Sequence, residues 1–269
     1  IEKTKYHRDC ADMFSIATFN VNSMKVRFPI VRDWLKAAAP DVVAFQELKG
    51  QEEIFPREEL QELGYESCVH GQKTYNGVAI ISRLPVEEMR IPETGFCAPG
   101  EARIIMAKVA GIWVVNTYVP QGQKVGSEKF TYKLDFLRGM GEFLEEEGLL
   151  KERTIWLGDL NVAPDERDVH DPERLRGEVG FHPDEQEALR VASRGLEDVF
   201  RRHVTEGGHY TFWDYRVPNG FKRNLGWRID HILATEELAQ RSLDSRVDRD
   251  LRALEKPSDH APLVATFDI

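Results

Sequence analysis

Cysteine is scarce in this chain: Cys10, Cys68 and Cys97 are the only three among 269 residues. An odd, widely spaced set supports neither a disulfide framework nor a cysteine-rich zinc site, so all three read as ordinary reduced thiols. Long apolar runs are missing too. No stretch approaches the ~18 residues that a membrane-spanning helix needs. The polar start, Ile1 to Met13, lacks the apolar core of a secretory signal. A cytoplasmic protein with no membrane partner is the expectation. There is no linker, no low-complexity run and no repeat of fixed period. Three common chemical motifs are absent as well. No Gly-x-Gly-x-x-Gly follows a strand pattern, Gly71-Gln72-Lys73-Thr74 lacks the spacing of a P-loop, and no His-Glu-x-x-His occurs.

Positive charge is also in deficit, with a formal net charge of −10. Taken alone, that argues against nucleic acid, whose binders carry a basic footprint. Binding responds to the local field, however. The segment from Tyr215 to Ile229 holds Arg216, Lys222, Arg223 and Arg228 and no acid. A basic strip on an acidic body suits an enzyme that grips phosphates and then releases them. A solvated loop with scattered charge is the plainer reading of the same residues.

What is present is a globular composition, 41% hydrophobic and 30% charged. Short β-rich runs recur at Phe14–Phe19, Val42–Phe45, Gly77–Ile81, Ile104–Val109, Ile112–Tyr118, Thr154–Leu157, Trp227–Leu233 and Leu263–Phe267. Gly, Pro, Asn or Asp bounds most of them, which is strand punctuation. Helical periodicity appears over Val26, Ile30, Val31, Trp34 and Leu35, over Phe130, Leu134, Leu137, Phe143 and Leu144 before Gly148, and from Asp184 to Arg194. The acidic run Glu142–Glu147 reads as a solvated helix face. Strands outnumber helices and several follow one another directly. That pattern predicts two packed sheets with helices outside, an α/β fold without strict alternation.

Polar residues gather where the strand patterns end: Asn20 and Asn22, Gln46 and Glu47, Asn116 and Tyr118, Asp159 and Asn161, and Ser258-Asp259-His260. Asn and Asp at a strand end are common turn formers, so no single one is diagnostic. Together they are a hard-oxygen set with a single imidazole, which suits Mg²⁺ or Mn²⁺ and not zinc. Glu47 with Asp159, Asn161 or Asp259 would make such a site. Asp230 interrupts the apolar run Trp227, Ile229, Ile232, Leu233. A buried carboxylate is costly unless paired. His260 is the first choice of partner, with Arg228 as the alternative; His231 should point to the opposite face.

These residues lie within blocks that occur in a known order. They are Phe19-Asn20-Val21-Asn22, Gln46-Glu47-Leu48-Lys49, Asn76-Gly77-Val78-Ala79-Ile80, Gly158-Asp159-Leu160-Asn161, Tyr210-Thr211-Phe212-Trp213-Asp214-Tyr215-Arg216, Arg228-Ile229-Asp230-His231-Ile232-Leu233 and Pro257-Ser258-Asp259-His260-Ala261-Pro262. From about Met13 to its end the chain resembles the exonuclease III family of AP endonucleases, within the wider endonuclease/exonuclease/phosphatase superfamily. The resemblance implies a DNase I-like, four-layered α/β sandwich: two packed mixed β-sheets flanked by helices, one domain over 13–269 after an extension, 1–12.

It also implies roles. Glu47 is the principal metal ligand, with Asn20 and Asp259 as further ligands or supports, for Mg²⁺ with Mn²⁺ as a substitute. Asp159 activates the attacking water and Asn161 positions it, both close enough to belong to the metal set. His260, held by Asp230, binds the scissile phosphate, and Tyr118 contacts it. The general base stays open between Asp159 and the His260–Asp230 pair. Phe212 and Trp227 wall the pocket for a baseless sugar. Gly180, by loose alignment, lies near the flanking phosphate, with a plain turn glycine as the alternative. Lys222 and Arg223, from the basic strip, are the candidate backbone contacts. The implied activity is Mg²⁺-dependent cleavage 5′ to abasic sites in double-stranded DNA, with action on blocked 3′ ends, by a monomer. A superfamily phosphatase and a DNA-binding protein without catalysis are the competing readings. The aromatic block weighs against the first and the full set of polar residues against the second.

Overall fold

A computed structural model describes residues 13–269. The extension over 1–12, with Cys10, lies outside the described residues. In chain order the strands are β1 (Met13–Asn20), β2 (Val42–Gln46), β3 (Glu66–His70), β4 (Val78–Ser82), β5 (Val86–Arg90), β6 (Ile104–Val109), β7 (Ile112–Tyr118), β8 (Thr154–Asp159), β9 (Leu196–Asp198), β10 (Asp230–Thr235), β11 (Ser242–Val247) and β12 (Leu263–Asp268). They form two six-stranded sheets, ordered β11-β12-β1-β2-β4-β3 and β5-β6-β7-β8-β10-β9.

Each sheet is antiparallel apart from one central parallel pair, β1 with β2 and β7 with β8. A parallel pair needs a crossover. The Met24–Ala38 helix supplies the first and the Glu128–Glu146 helix the second. An antiparallel strand flanks each pair: β12 runs beside β1 and β10 beside β8.

The core follows from strand parity. Phe14 and Ile16 of β1, Ala44 of β2, Val114 of β7, Ile155 and Leu157 of β8 and Ile232 of β10 meet between the sheets. Their neighbours face outward. Ala17 and Phe19 pack on Val31, Trp34 and Leu35, while Val115 and Trp156 pack on Phe136, Leu137 and Met140. Strands buried on both faces read as near-continuous apolar runs. The result is helix, sheet, sheet, helix, the four-layered sandwich expected. Among the described residues no helix is long and apolar enough to cross a membrane.

Some expectations need correction. Val26, assigned to the buried helix face, is 50% exposed, and Met24 takes its place in the core. The run from Trp227 becomes a strand only at Asp230, because Trp227 pairs through isolated bridges with Val169 and Phe212. The reading also lacked β3, β5, β9 and β11, which are the four sheet edges.

Arg228 leaves the expected basic strip. Its guanidinium is buried, with Nε 2.6 Å from Asp168 Oδ1 and Nη2 2.8 Å from Asp198 Oδ2. Asp168 also pairs with Arg201. Burial works against the charged form of Asp168, yet Arg228 and Arg201 hold its carboxyl below the usual range. A lowered folded-state pKa contributes stability above the unfolded value, about 3.9, which is lost as pH falls through the folded value. Asp168→Asn removes the carboxylate shared by Arg201 and Arg228, leaving Asp198 alone against Arg228, and is expected to cost about 3–5 kcal/mol near neutral pH. Urea unfolding of parent and variant at about pH 7 and about pH 3 should show this gap shrinking in acid. A gap independent of pH would rule out the ionic origin.

Candidate active site

The site is where inward-facing strand positions turn polar. Asn20 continues the parity of Ile16 at the end of β1, and Gln46 that of Ala44 at the end of β2. Tyr118 continues Val114, Asp159 continues Leu157, and Asp230 precedes Ile232 by two. The parallel pairs end on the same side as β10 begins: Asp230 lies opposite Asp159, and Tyr118 beside it. Gly158 permits the approach of β8 to β7. Its φ is +143°, and a Cβ there would fall 1.9 Å from the Thr117 carbonyl oxygen.

The Asn20 amide bridges the carboxylates of the two sheets. Asn20 Nδ2 donates to Glu47 Oε1 and to Asp159 Oδ2, at 2.8 Å each. Tyr118 Oη donates to Glu47 Oε1 at 3.0 Å. The Asn161 N–H donates to Asp159 Oδ1 at 3.0 Å, and its side-chain amide donates to Val119 O at 2.9 Å. His260 Nδ1 lies 2.8 Å from Asp230 Oδ2, and its Nε2 faces Asp159 Oδ2 at 3.7 Å. Asp230 therefore pairs with His260 and not with Arg228. His231 points the other way, with Nε2 2.8 Å from Val162 O.

Four titrations are displaced. Burial raises Asp159, and although His260 opposes this, Asp230 adds to it, so the carboxyl is pushed up to about 7. Burial disfavours the charged form of His260, but Asp230 and Asp159 outweigh it and push the imidazole up to about 10. Glu47 goes the other way: burial is overcome by Asn20 and Lys49, and the carboxyl is held low. Burial first, then Glu47 and Asp159, raises Tyr118 well above the ordinary phenol. It stays a donor.

Asp159, Asp230 and His260 place ligand atoms within 4.8 Å of one another, a spacing that could hold a cation. Their hydrogen bonds favour a proton there instead, because both nitrogens of His260 already face carboxylates. The oxygens around Glu47 fit a hard divalent cation better. An ammonium already stands in for one: Lys49 Nζ rests 2.8 Å from Glu47 Oε2 and also donates to Asn22 Oδ1. Asn22 Nδ2 in turn holds Asp259 Oδ1 at 2.9 Å. Donors and charge in this set suit a hard divalent cation.

The aromatic residues border the cluster. The Phe212 and His260 rings lie 4.9 Å apart. A Cβ on Gly180 would sit 3.4 Å from the Trp227 ring and 3.5 Å from Asn161 O, and its φ is +90°. Gly180 is thus a turn glycine that also lies against Trp227 and Asn161. Lys222 and Arg223 stand apart, exposed on the turn before Trp227, with no ion-pair partner among the described residues. Lys49, Asn22 and Ser258 carry more of the geometry than their sequence blocks suggested. Ser258 Oγ donates to Asn20 O at 2.7 Å and so ties the segment before β12 to β1. The signal for Lys49 was only its position two residues after Glu47.

Known proteins share this fold. A family model described as the endonuclease/exonuclease/phosphatase family matches residues 17–260. An exodeoxyribonuclease III of Haemophilus influenzae is 36% identical over 266 residues, spanning 93% of this chain and 98% of that protein. The structure of an AP endonuclease from Archaeoglobus fulgidus superposes with a TM-score of 0.91 at 44% identity, covering 95% of this chain and 100% of that one. A 3′ phosphatase from Neisseria, solved with a product DNA hairpin, superposes with a TM-score of 0.91 at 39% identity and the same coverage, 95% and 100%. The chain belongs to the endonuclease/exonuclease/phosphatase family, on its exodeoxyribonuclease III branch.

Proposed function

We propose that this chain is a Mg²⁺-dependent DNA repair nuclease. It hydrolyses the phosphodiester 5′ to an abasic site in duplex DNA and also acts on 3′ ends, as exonuclease and phosphatase. Residues 13–269 serve as one domain, and as a monomer. Mn²⁺ is the natural substitute, because the donors near Glu47 are hard oxygens. The observation that carries this reading is the convergence, in one buried cleft, of Asp159, held by Asn20 and the Asn161 N–H, with the His260 imidazole, which sits 2.8 Å from Asp230 and faces Asp159 at 3.7 Å. Neighbouring groups with separated titrations divide acid and base roles between them.

Asp159 is the group that takes the proton of water near neutral pH, and the Asn161 N–H fixes its orientation. His260, protonated and held by Asp230, meets the negative phosphate. Tyr118 offers a second donor. Asn20, Glu47 and Asp259 would hold the metal, with Asp159 and Asn161 at its margin; when bound, it supplies positive charge for the phosphate and for the leaving 3′ oxygen. Phe212 and Trp227 form an apolar wall that a baseless sugar fits and a full nucleotide does not. Gly180 adds no bulk to that wall. Lys222 and Arg223 grip backbone phosphate. A labelled duplex with one abasic site tests the whole reading. A single cut 5′ to the lesion, dependent on Mg²⁺, is expected. A shifted but uncut duplex would point to binding without catalysis.

Glu47→Ala is expected to lose most activity at low Mg²⁺ and regain part of it at high Mg²⁺. Superimposable metal titrations of variant and parent would remove Glu47 from the ligand set.

Asp230→Asn deletes the carboxylate that most favours the His260 imidazolium, so the histidine pKa falls. Activity requiring the charged imidazole is present below that pKa and lost above it. The alkaline limb of kcat/KM against pH should therefore move to lower pH, with reduced turnover. An unmoved limb would dissolve the pair.

DNA grip and lesion choice should separate. Replacing Lys222 and Arg223 together with Ala should weaken binding to every duplex alike. It should also flatten the log–log salt dependence by roughly one to two units. Phe212→Ala should leave that slope unchanged and erode the preference for abasic sites. Because Phe212 packs on His260, turnover on all substrates should also fall. Gly180→His should suppress abasic incision and spare 3′-exonuclease action. Gly180→Ala carries the same backbone strain at φ +90° without the bulk, and should retain most incision. Equal losses in both Gly180 variants would assign the effect to strain and not to the pocket.

A further inference from the structure

Lys133 and Glu185 form an ion pair with both side chains fully buried, between the Glu128–Glu146 and Pro183–Ala192 helices. Lys133 Nζ also donates to the backbone oxygens of Asn161, at 2.6 Å, and Gln121, at 3.3 Å. The second oxygen of Glu185 accepts the N–H of Gly180 at 2.8 Å and that of His182 at 3.2 Å. Capping the second helix requires only the His182 bond. Neither the lysine nor the reach to Gly180 is needed to start a helix.

A buried ion pair is a weak stabiliser, since desolvation offsets much of the attraction and apolar residues of similar volume often serve as well. What this pair does is geometric. It ties three loops to one point: the loop after β7 through Gln121, the loop after β8 through Asn161, and the turn at Gly180. A fourth bond, from Ala163 N to Gly180 O at 2.7 Å, ties the last two to each other. Asn161 holds Asp159 at the reacting end, and Gly180 lies against Trp227 at the pocket wall.

We propose that Lys133 and Glu185 are positioning residues that set Gly180 relative to Asn161, and so help decide between abasic and 3′-terminal substrates. This rests on the roles given above to Gly180 and Asn161. The test uses the full chain carrying Lys133→Met with Glu185→Leu, and separately Glu185→Gln. Turnover on an abasic duplex and on a duplex ending in a 3′ phosphate is measured on the same preparation. The ratio of the two cancels any loss of folded enzyme. Melting temperatures are recorded alongside.

The apolar double variant should melt below the parent, because the Asn161 and Gln121 oxygens and the Gly180 and His182 N–H groups lose these partners, while its ratio of abasic to 3′-phosphate turnover falls at least about tenfold, as small misplacements act on turnover. Glu185→Gln leaves Lys133 uncompensated; it should melt lower, and its ratio should fall as well. If the double variant does not fold, the Glu185→Gln ratio decides. A ratio that stays within about twofold of the parent's in the folded variants overturns the inference alone, and leaves the pair a structural feature. A parent enzyme that does not cut the abasic duplex overturns the functional reading, and this inference with it.

Discussion

The site depends on one nitrogen. Asn20 Nδ2 donates to Glu47, at the end of β2, and to Asp159, in the opposite sheet. Two carboxylates close together in a buried cleft repel, and burial magnifies the repulsion. A shared donor lowers that cost without neutralising either group. The remainder of the cluster is arranged around this bridge. Lys49 offsets the charge of Glu47 on one side, and His260, itself held by Asp230, offsets that of Asp159 on the other.

The backbone accepts strain to hold this arrangement. Glu47 and Asn161 have φ of +52° and +53°, in the left-handed region that non-glycine residues rarely adopt. Each sits just beyond a central strand and is locked by the residues around it. Leu48 N and Lys49 N bond to Gly77 O and Asn76 O, and Leu160 N bonds to Ile229 O. Strained residues persist where their surroundings over-determine them, and they cluster where function demands a geometry that local preference would not choose.

The inner strands were visible in the sequence because they are buried on both faces and read as apolar runs. The edge strands were not. β5 reads Val-Glu-Glu-Met-Arg and β11 Ser-Leu-Asp-Ser-Arg-Val, largely exposed patterns with no period-two contrast. Asn20, Asp159 and Asp230 could be found because each is a polar residue at the inward parity of an apolar strand. Lys133, by contrast, sits in a helix among other charges, and its partner lies 52 positions away. Nothing local distinguishes it from a solvated lysine. Arg228 misled for the same reason: a cation in an acid-free segment looks free until Asp168 and Asp198 arrive from elsewhere in the chain.

The polarity that hid the edge strands bears on how copies of this molecule meet. An open sheet edge is a row of unpaired amides and carbonyls that can template a strand from another copy. Glu87, Glu88 and Arg90 on β5, and Asp244 and Arg246 on β11, line two of these edges with charge. Both strands also shift register, between Val86 and Glu88 and between Ser242 and Asp244, which twists the edge away from a flat ladder. β3 begins with Glu66, and β9 is only three residues long and ends in Glu197 and Asp198. Charge and a shifted register together make the β5 and β11 edges poor templates for a further strand.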